Sequence, residues 1–359
     1  MDRDVSPLEI HHALVDWAAA GRRFALAVIL QAEGSTPRKA GVKALIEADG
    51  KISGTLGGGA VEAEAQRRAV EACRSGQAAV FVFDLTGPAA GEPDPICGGV
   101  MRILIDPEIS KYIDAFGRTA EALEQRRRGA LLTRIIDDQP PRTSVKWLGE
   151  DDIPSAMDFP GRETVRECMR RETARYFMEA PQDARATLVE PVIPPPRLLV
   201  AGGGHVGQAL ARLGVFCGFE VTVIDDRPEF TDPALFPQGI RTQCGGVAEA
   251  IAAFPIGADT FIVIVTRGHQ HDAVALAACI DAPAAYVGMI GSQRKVALIR
   301  KDFIESGRAT EESFARVHAP IGLDIGAVSV PEIALSIMAQ LVDARRSFSK
   351  DDPYEHDPR

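Results

Sequence analysis

Arg197-Leu-Leu-Val-Ala-Gly-Gly-Gly-His-Val-Gly207 decides the fold of the second half of this chain. Arg197 to Ala201 has the apolar core of a strand and runs straight into Gly202-x-Gly204-x-x-Gly207. Gln208 to Cys217 then continues with helical periodicity. Strand, tight glycine turn and helix in that order make a dinucleotide fingerprint rather than a glycine-rich surface turn. The first glycine permits the turn, the second lets a pyrophosphate approach the backbone, and the third lets helix and strand pack closely. The helix start offers N–H groups and a positive dipole end to phosphate. His205 sits at that end, where it either contacts a bound nucleotide or caps the helix. A second apolar run, Glu220 to Ile224, ends in Asp225-Asp226-Arg227. Asp225 lies 18 positions past Gly207, close to the roughly 20-residue offset of a ribose-binding carboxylate. Asp225 favours NAD, and Arg227 leaves NADP open.

The rest of this half fits a Rossmann-like, doubly wound parallel sheet over 197–346. Gly239 to Gln243 reads as a third strand and Val247 to Phe254 as a short helix. Asp259 to Thr266 is an almost continuous apolar run, as expected of a strand buried on both faces. It exits into Arg267-Gly-His-Gln-His-Asp272, at the end of a central strand where ligands collect. His269 is the candidate contact there. His269, His271 and Asp272 are metal-ligating types, but they straddle a helix start where such residues cap, so no metal site is assigned. Ala284 to Met289 reads as a fifth strand, followed by a basic helix from Gln293. Val317 to Gly326 reads as a loop and Pro331 to Arg346 as a helix. Residues 347–359 form a polar tail.

Upstream, Glu190-Pro-Val-Ile-Pro-Pro-Pro196 reads as an extended linker, which bounds a first domain of residues 1–190. This domain is expected to be α/β with a mixed sheet. Pro7 to Ala20 reads as an amphipathic helix, with His11 and His12 as partly exposed residues rather than ligands. Phe24 to Gln31 is a strand opening into Glu33-Gly-Ser-Thr-Pro-Arg-Lys-Ala-Gly41. Val42 to Glu47 and Ile52 to Thr55 flank an Asp-Gly hairpin turn. Gly57-Gly-Gly59 then opens a helix with the stripe Val61, Ala65, Ala69 and Cys73. That helix start suits an anion, and Glu62 in its first turn equally suits the helix dipole. Arg38-Lys39 is the basic loop a hairpin brings to the same end. Ala79 to Phe83 and Val100 to Ile105 are strands around a turn-rich loop that delivers Cys97-Gly98-Gly99. On pattern alone, Cys97 is a small buried residue or an approachable thiol. Ile109 to Gln125 reads as a helix ending at a solvated patch, Arg126-Arg-Arg128. Ala130 to Ile136, Ser144 to Leu148, Arg175 to Glu179 and Ala186 to Val189 read as short strands.

Composition bounds the function. The chain of 359 residues has a formal net charge of −10, which argues against general affinity for nucleic acid or anionic membrane. No apolar run approaches the roughly 18 residues of a membrane span, and the first residues lack the pattern of a signal peptide. Six scattered cysteines without C-x-x-C fit reduced thiols in the cytoplasm.

The chain resembles the XdhC/CoxI family, accessory factors for xanthine dehydrogenase and related molybdenum hydroxylases. The likeness lies in Glu33–Gly41, Gly54-Thr-Leu-Gly-Gly-Gly-Ala-Val-Glu62 and Cys97-Gly-Gly99 in the first half. In the second half it lies in Gly202–Gly207, Ile224-Asp-Asp-Arg-Pro-Glu-Phe230, Thr266–Asp272, Tyr286-Val-Gly-Met-Ile-Gly-Ser292 and Val317-His-Ala-Pro-Ile-Gly-Leu-Asp-Ile-Gly-Ala327. Residues 106–190 carry no such motif. The resemblance implies a carrier that binds molybdenum cofactor (molybdopterin), protects its sulfurated form and delivers it to an apo-hydroxylase without turning over a metabolite. It gives Arg38 and Gly57, Gly58 and Gly59 the cofactor's phosphate. Cys97 becomes the functional thiol, in competition with Cys244, which heads a second Cys-Gly-Gly. A cysteine desulfurase is a further partner, and a homodimer is the expected assembly. The rival reading is an NAD(P)-dependent oxidoreductase with the histidine loop as its acid–base group.

Overall fold

The structure is a computed structural model that describes residues 7–85, 98–136, 138–153, 161–180 and 184–347. The chain divides into two compact units, Met1–Pro194 and Pro195–Arg359.

The first unit contains α1 (Pro7–Ala19), β1 (Phe24–Gly34), β2 (Lys43–Glu47), β3 (Ile52–Gly54), α2 (Gly59–Ser75), β4 (Ala79–Asp84) and β5 (Gly99–Asp106). The five strands form one sheet in the order β3-β2-β1-β5-β4. The α/β class holds, and within it every registered pairing is antiparallel rather than mixed. β1 is apolar almost throughout because both its faces are covered. Ala25, Ala27 and Ile29 meet the Val61, Ala65 and Ala69 stripe of α2, while Leu26, Val28 and Leu30 join a cluster with Leu14 and Phe116 on the other side. Alternation with period two makes both layers from one strand. The Asp-Gly turn forms as expected, pairing Ile46 with Ile52 and placing Gly50 at φ 91°.

A 3-10 turn, Ile109–Tyr112, leads into α3 (Ile113–Glu124). β6 (Gly129–Ile136), β7 (Arg142–Gly149), β8 (Arg175–Ala180) and β9 (Arg185–Val192) then build a second antiparallel sheet in the order β7-β6-β9-β8. α4 (Arg162–Arg171) packs on it through Val165, Cys168 and Met169. Sequence reading misses α4 because those three positions are its whole apolar signal in a strongly charged segment. Arg127 and Arg128 of the basic patch pair with Glu121 at 3.5 Å and Glu150 at 3.3 Å. β9 extends through Val192, so Glu190-Pro191-Val192 belong to the sheet and not to a spacer.

The second unit contains β10 (Arg197–Ala201), α5 (His205–Phe216), β11 (Glu220–Asp225), β12 (Arg241–Cys244), α6 (Val247–Ala253), β13 (Thr260–Ile264), α7 (His269–Ala277), β14 (Tyr286–Met289), α8 (Gln293–Glu305), α9 (Glu311–Ala315), β15 (Val317–His318) and α10 (Val330–Ser347). The strand order β12-β11-β10-β13-β14-β15 is 3-2-1-4-5-6 when counted within the unit, the doubly wound order. All its pairings are parallel. α5 and α10 cover one face, through Leu210, Ala211, Ile337 and Leu341. α6, α7, α8 and α9 cover the other, through Ile251, Leu276, Ile299 and Phe314. Two residues of the expected loop, Val317 and His318, are the sixth strand. Among the described residues no helix is long and apolar enough to cross a membrane.

His11 differs from its expected half-exposed state. It is 4% exposed beside Phe116, ring centroids 5.7 Å apart, and its Nδ1 lacks a hydrogen-bond partner. Burial, reinforced by Lys43 and His12, pulls its pKa down to about 3. Between that value and the ordinary 6.5 the unfolded chain binds a proton that the folded chain refuses, so stability falls as pH falls. At pH 5 the loss is about 2 kcal/mol. Trp17 and Trp147 both lie in the first unit, so their fluorescence reads it selectively. Denaturant unfolding at pH 7.5 and pH 5 should show that loss in the wild type and not in His11→Leu. Equal pH dependence of the two proteins would refute the assignment.

Candidate functional site

In the second unit the carboxyl ends of β10, β11 and β13 bring three sequence motifs together. Gly202 lies at φ 122°, and a Cβ there would strike the Val265 carbonyl. A Cβ on Gly203 would strike the Phe230 carbonyl, and one on Gly207 the Gly202 carbonyl. Gly204 is the exception, with nothing within 4 Å of an added Cβ. The crowded glycines fix the loop, and the open one leaves backbone for a ligand to approach. Gly204 is also the N-cap of α5, whose first turn has no side-chain cap and no acidic residue. His205 is exposed at this start.

Asp225 is 3% exposed. Its Oδ2 accepts from the Gly203 N–H at 2.8 Å, and its Oδ1 from the N–H and Nε of Arg227 at 3.0 and 2.8 Å. Burial pushes this carboxyl up, but the hydrogen bonds from Arg227 and Gly203 outweigh it and hold the group below the ordinary carboxylate range. Asp225 therefore clamps the glycine loop as well as ending β11, and a ribose would share it with Arg227. Arg227 itself lies 3.8 Å over the Phe230 ring. Asp226 is exposed and accepts from Arg267 at 2.9 Å, which ties the β11 and β13 ends together.

The histidine loop divides. His269 and His271 are exposed in the first turn of α7. Asp272 is fully buried, accepts from the N–H and hydroxyl of Thr266 at 3.2 and 2.5 Å, and pairs with Lys295 of α8. Among the described residues no group of three or more His, Cys, Asp or Glu is placed to hold a metal ion. Sequence reading misses Lys295; its only signal is a basic residue in a helix start 23 positions away. Cys244 is exposed at the end of β12, in register with Asp225.

In the first unit three motifs meet around residues 34–38. Gly34 pairs with Gly99 across β1 and β5. A Cβ on Gly99 would lie 2.5 Å from the Glu33 carbonyl and 2.6 Å from that of Ser35. One on Gly57 would lie 2.7 Å from Pro37 and 3.4 Å from Arg38 Cγ. The expected approach of Arg38 to the glycine run is thus present. Gly58 and Gly59 sit at φ 75° and 59° with open space where a Cβ would be. Glu62 turns back on the loop, its Oε2 accepting from Thr55 Oγ1 at 2.8 Å, the Leu56 N–H at 3.1 Å and the Gly58 N–H at 3.2 Å. That carboxylate shapes the cradle from inside. Cys97 lies outside the described residues, immediately before Gly98 in the chain.

These arrangements define a Rossmann-like unit joined to an antiparallel α/β unit, each with an open, glycine-lined helix start. Residues 198–341 match the XdhC Rossmann domain, and residues 17–84 match the XdhC and CoxI family, together more than half of the chain. The chain belongs to the XdhC/CoxI family. It is 27% identical over 325 residues to the uncharacterized protein YqeB of Escherichia coli, covering 90% of this chain but 44% of that one, so it spans less than half of that relative. It is 24% identical to a probable xanthine dehydrogenase subunit from Bacillus subtilis, covering 89% of this chain and 93% of that one. It is 22% identical to the molybdenum cofactor insertion chaperone PaoD of Escherichia coli, covering 94% and 88% respectively. A crystal structure described as a xanthine dehydrogenase from Bacillus halodurans shares the fold, with a TM-score of 0.72 at 21% identity over 96% of this chain and 99% of that one.

The Asp272–Lys295 pair gives the second unit a measurable weak point. Lys295→Met leaves a fully buried carboxylate without its cation and should cost about 3 kcal/mol. Hydrogen exchange of the β13 amides should show faster opening in this variant and recovery in Lys295→Met/Asp272→Asn. No change in the single variant would mean that Thr266 alone sustains the charge.

Proposed function

We propose that this protein is an accessory factor that binds molybdenum cofactor, shields its sulfurated form and delivers it to a xanthine dehydrogenase-type molybdenum hydroxylase, without turning over a metabolite. The observation that carries the reading is the meeting of Arg38, Gly57–Gly59 and Gly98–Gly99 around one loop of the first unit. The cofactor is cargo with a terminal phosphate, and phosphate is suited to an open backbone at a helix start with a cation beside it. Gly58 and Gly59 leave that backbone open, Arg38 supplies the charge, and Glu62 holds the loop in shape. Cys97 directly precedes Gly98 in the sequence, and a soft thiolate suits molybdenum or its sulfido ligand. Cys244 remains the competing thiol. The names of two relatives, an insertion chaperone and a probable xanthine dehydrogenase subunit, point the same way. A cysteine desulfurase as sulfur donor, a homodimeric assembly and a reducing cytoplasm complete the reading.

The second unit supports a nucleotide site, either for NAD(P) or for the nucleotide half of a dinucleotide cofactor. Open backbone at Gly204 and the uncapped start of α5 favour it. Hydride chemistry is not part of the proposal; Asp272, the carboxylate nearest the loop histidines in sequence, is buried and committed to Lys295 and Thr266.

The test is release of small molecules from protein purified out of cells that make the cofactor. Oxidation should yield a fluorescent pterin from the wild type and at least fivefold less from Gly58→Asp, which puts a carboxylate into the open cradle, and from Cys97→Ala. Nucleotide without pterin would sink the carrier reading.

A further inference from the structure

A cavity of about 360 Å³ lies in the first unit, walled by Arg38, Lys43, Thr55 and Glu190 beside apolar Ile10 and Ala174. Its volume falls in the roughly 300–1,000 Å³ range of small-molecule sites. Glu190 is its unusual member. The residue is 5% exposed, its Oε1 pairs with Lys43, and its Oε2 has no hydrogen-bond partner. Burial raises the carboxyl, and Lys43 opposes the rise without cancelling it. An unpaired acceptor in a buried ion pair is destabilising. An orphan oxygen on a carboxylate in a cavity wall is suited to a donor that arrives with a ligand. The terminal torsion of a glutamate is soft, so the carboxyl can adjust to meet such a donor.

We infer that this cavity takes the flat, nitrogen-rich ring of the cofactor, with Glu190 accepting from the ring's paired N–H and amino donors and Arg38 facing its anionic arm. The inference rests on the proposal that the protein carries a pterin. Two adjacent N–H donors match the two oxygens of a carboxylate, the same fork-to-fork fit that arginine makes. Lys43 acts as a positioning residue, holding Glu190 in the wall and favouring its acceptor form. Gly41 keeps the space open: it lies at φ 88°, and a Cβ there would come 3.1 Å from Ala174 Cβ and 3.3 Å from Glu190 Oε1. Because Arg38 also lies against Gly57, the cavity adjoins the cradle assigned to the phosphate. One arginine can then serve the junction of ring and arm.

The experiment titrates the full chain with two fluorescent probes, pterin and lumazine, the latter carrying a carbonyl in place of the 2-amino group. Wild-type protein should bind pterin at least tenfold more tightly than lumazine, because lumazine turns an acceptor toward the carboxylate. Glu190→Gln should erase the preference. Ala174→Leu, which fills the cavity and leaves the ion pair intact, should weaken pterin binding at least tenfold. Should Glu190→Gln fail to fold, the wild-type preference and Ala174→Leu decide. Equal affinity for the two probes, no pterin binding, or a preference that survives in Glu190→Gln overturns the assignment. Cofactor that co-purifies with a protein showing no such preference sinks this inference and leaves the carrier reading standing. No pterin in any form sinks both.

Discussion

Backbone packed against backbone, at positions where no Cβ fits, is the constraint on which both candidate sites depend. In the second unit Gly207 lets α5 settle onto the loop that ends β10, and Gly202 and Gly203 let that loop pass the Val265 and Phe230 carbonyls. In the first unit Gly99 and Gly57 let β5 and the start of α2 close on residues 33–38. A single methyl at any of these positions would push a strand or helix end away from its neighbour. The open glycines, Gly204, Gly58 and Gly59, are therefore a different population from the crowded ones beside them. The crowded set builds the loop, and the open set is what the loop presents.

Each loop is also held by a carboxylate of its own. Asp225 takes the Gly203 N–H and Glu62 takes the Gly58 N–H. Both acids would be natural candidates for ligand contact from sequence position alone, and both are already hydrogen-bonded to the loop they border. A backbone donor that is satisfied internally does not collapse onto other partners, so the loop keeps its shape when no ligand is bound. The electrostatic consequence is local: an anionic ligand meets a negative charge near each cradle, offset by Arg227 in one unit and Arg38 in the other. A ligand that reached the cation and the open glycine together would fit either place better than one that reached only one of them.

The second unit is largely legible in the sequence because its signals are local. A buried parallel strand reads as a short apolar run, and each such run here is followed within a few residues by its glycine or acidic loop. The doubly wound sheet, the loop residues and the helix starts follow from that regularity. What is not legible depends on contacts far apart in the chain. β15 is two residues long and exists only because β14 offers a partner. Glu190 reads as the first residue of a proline-rich spacer, yet it lies within β9 and pairs with Lys43, 147 positions earlier. His11 and His12 are adjacent on one helix, but α3 covers the first and pairs the second with Glu124. No pattern of period 3.6 or 2 encodes such partners.

The same distinction bears on function. The glycine fingerprint specifies a backbone shape suited to a phosphate and says nothing of the chemistry performed beside it. Acid–base work needs a titratable group free to exchange a proton, and Asp272, the carboxylate of the histidine loop, is fully buried under Thr266 and Lys295. Glu190 presents the opposite case: a buried carboxylate with one oxygen committed and the other unpaired. A group already satisfied on all sides stabilises the fold, whereas one left half-satisfied at a cavity wall favours whatever completes it. By that criterion, the cavity of the first unit is a better candidate for the proposed recognition than the histidine loop that makes the second unit look like a dehydrogenase.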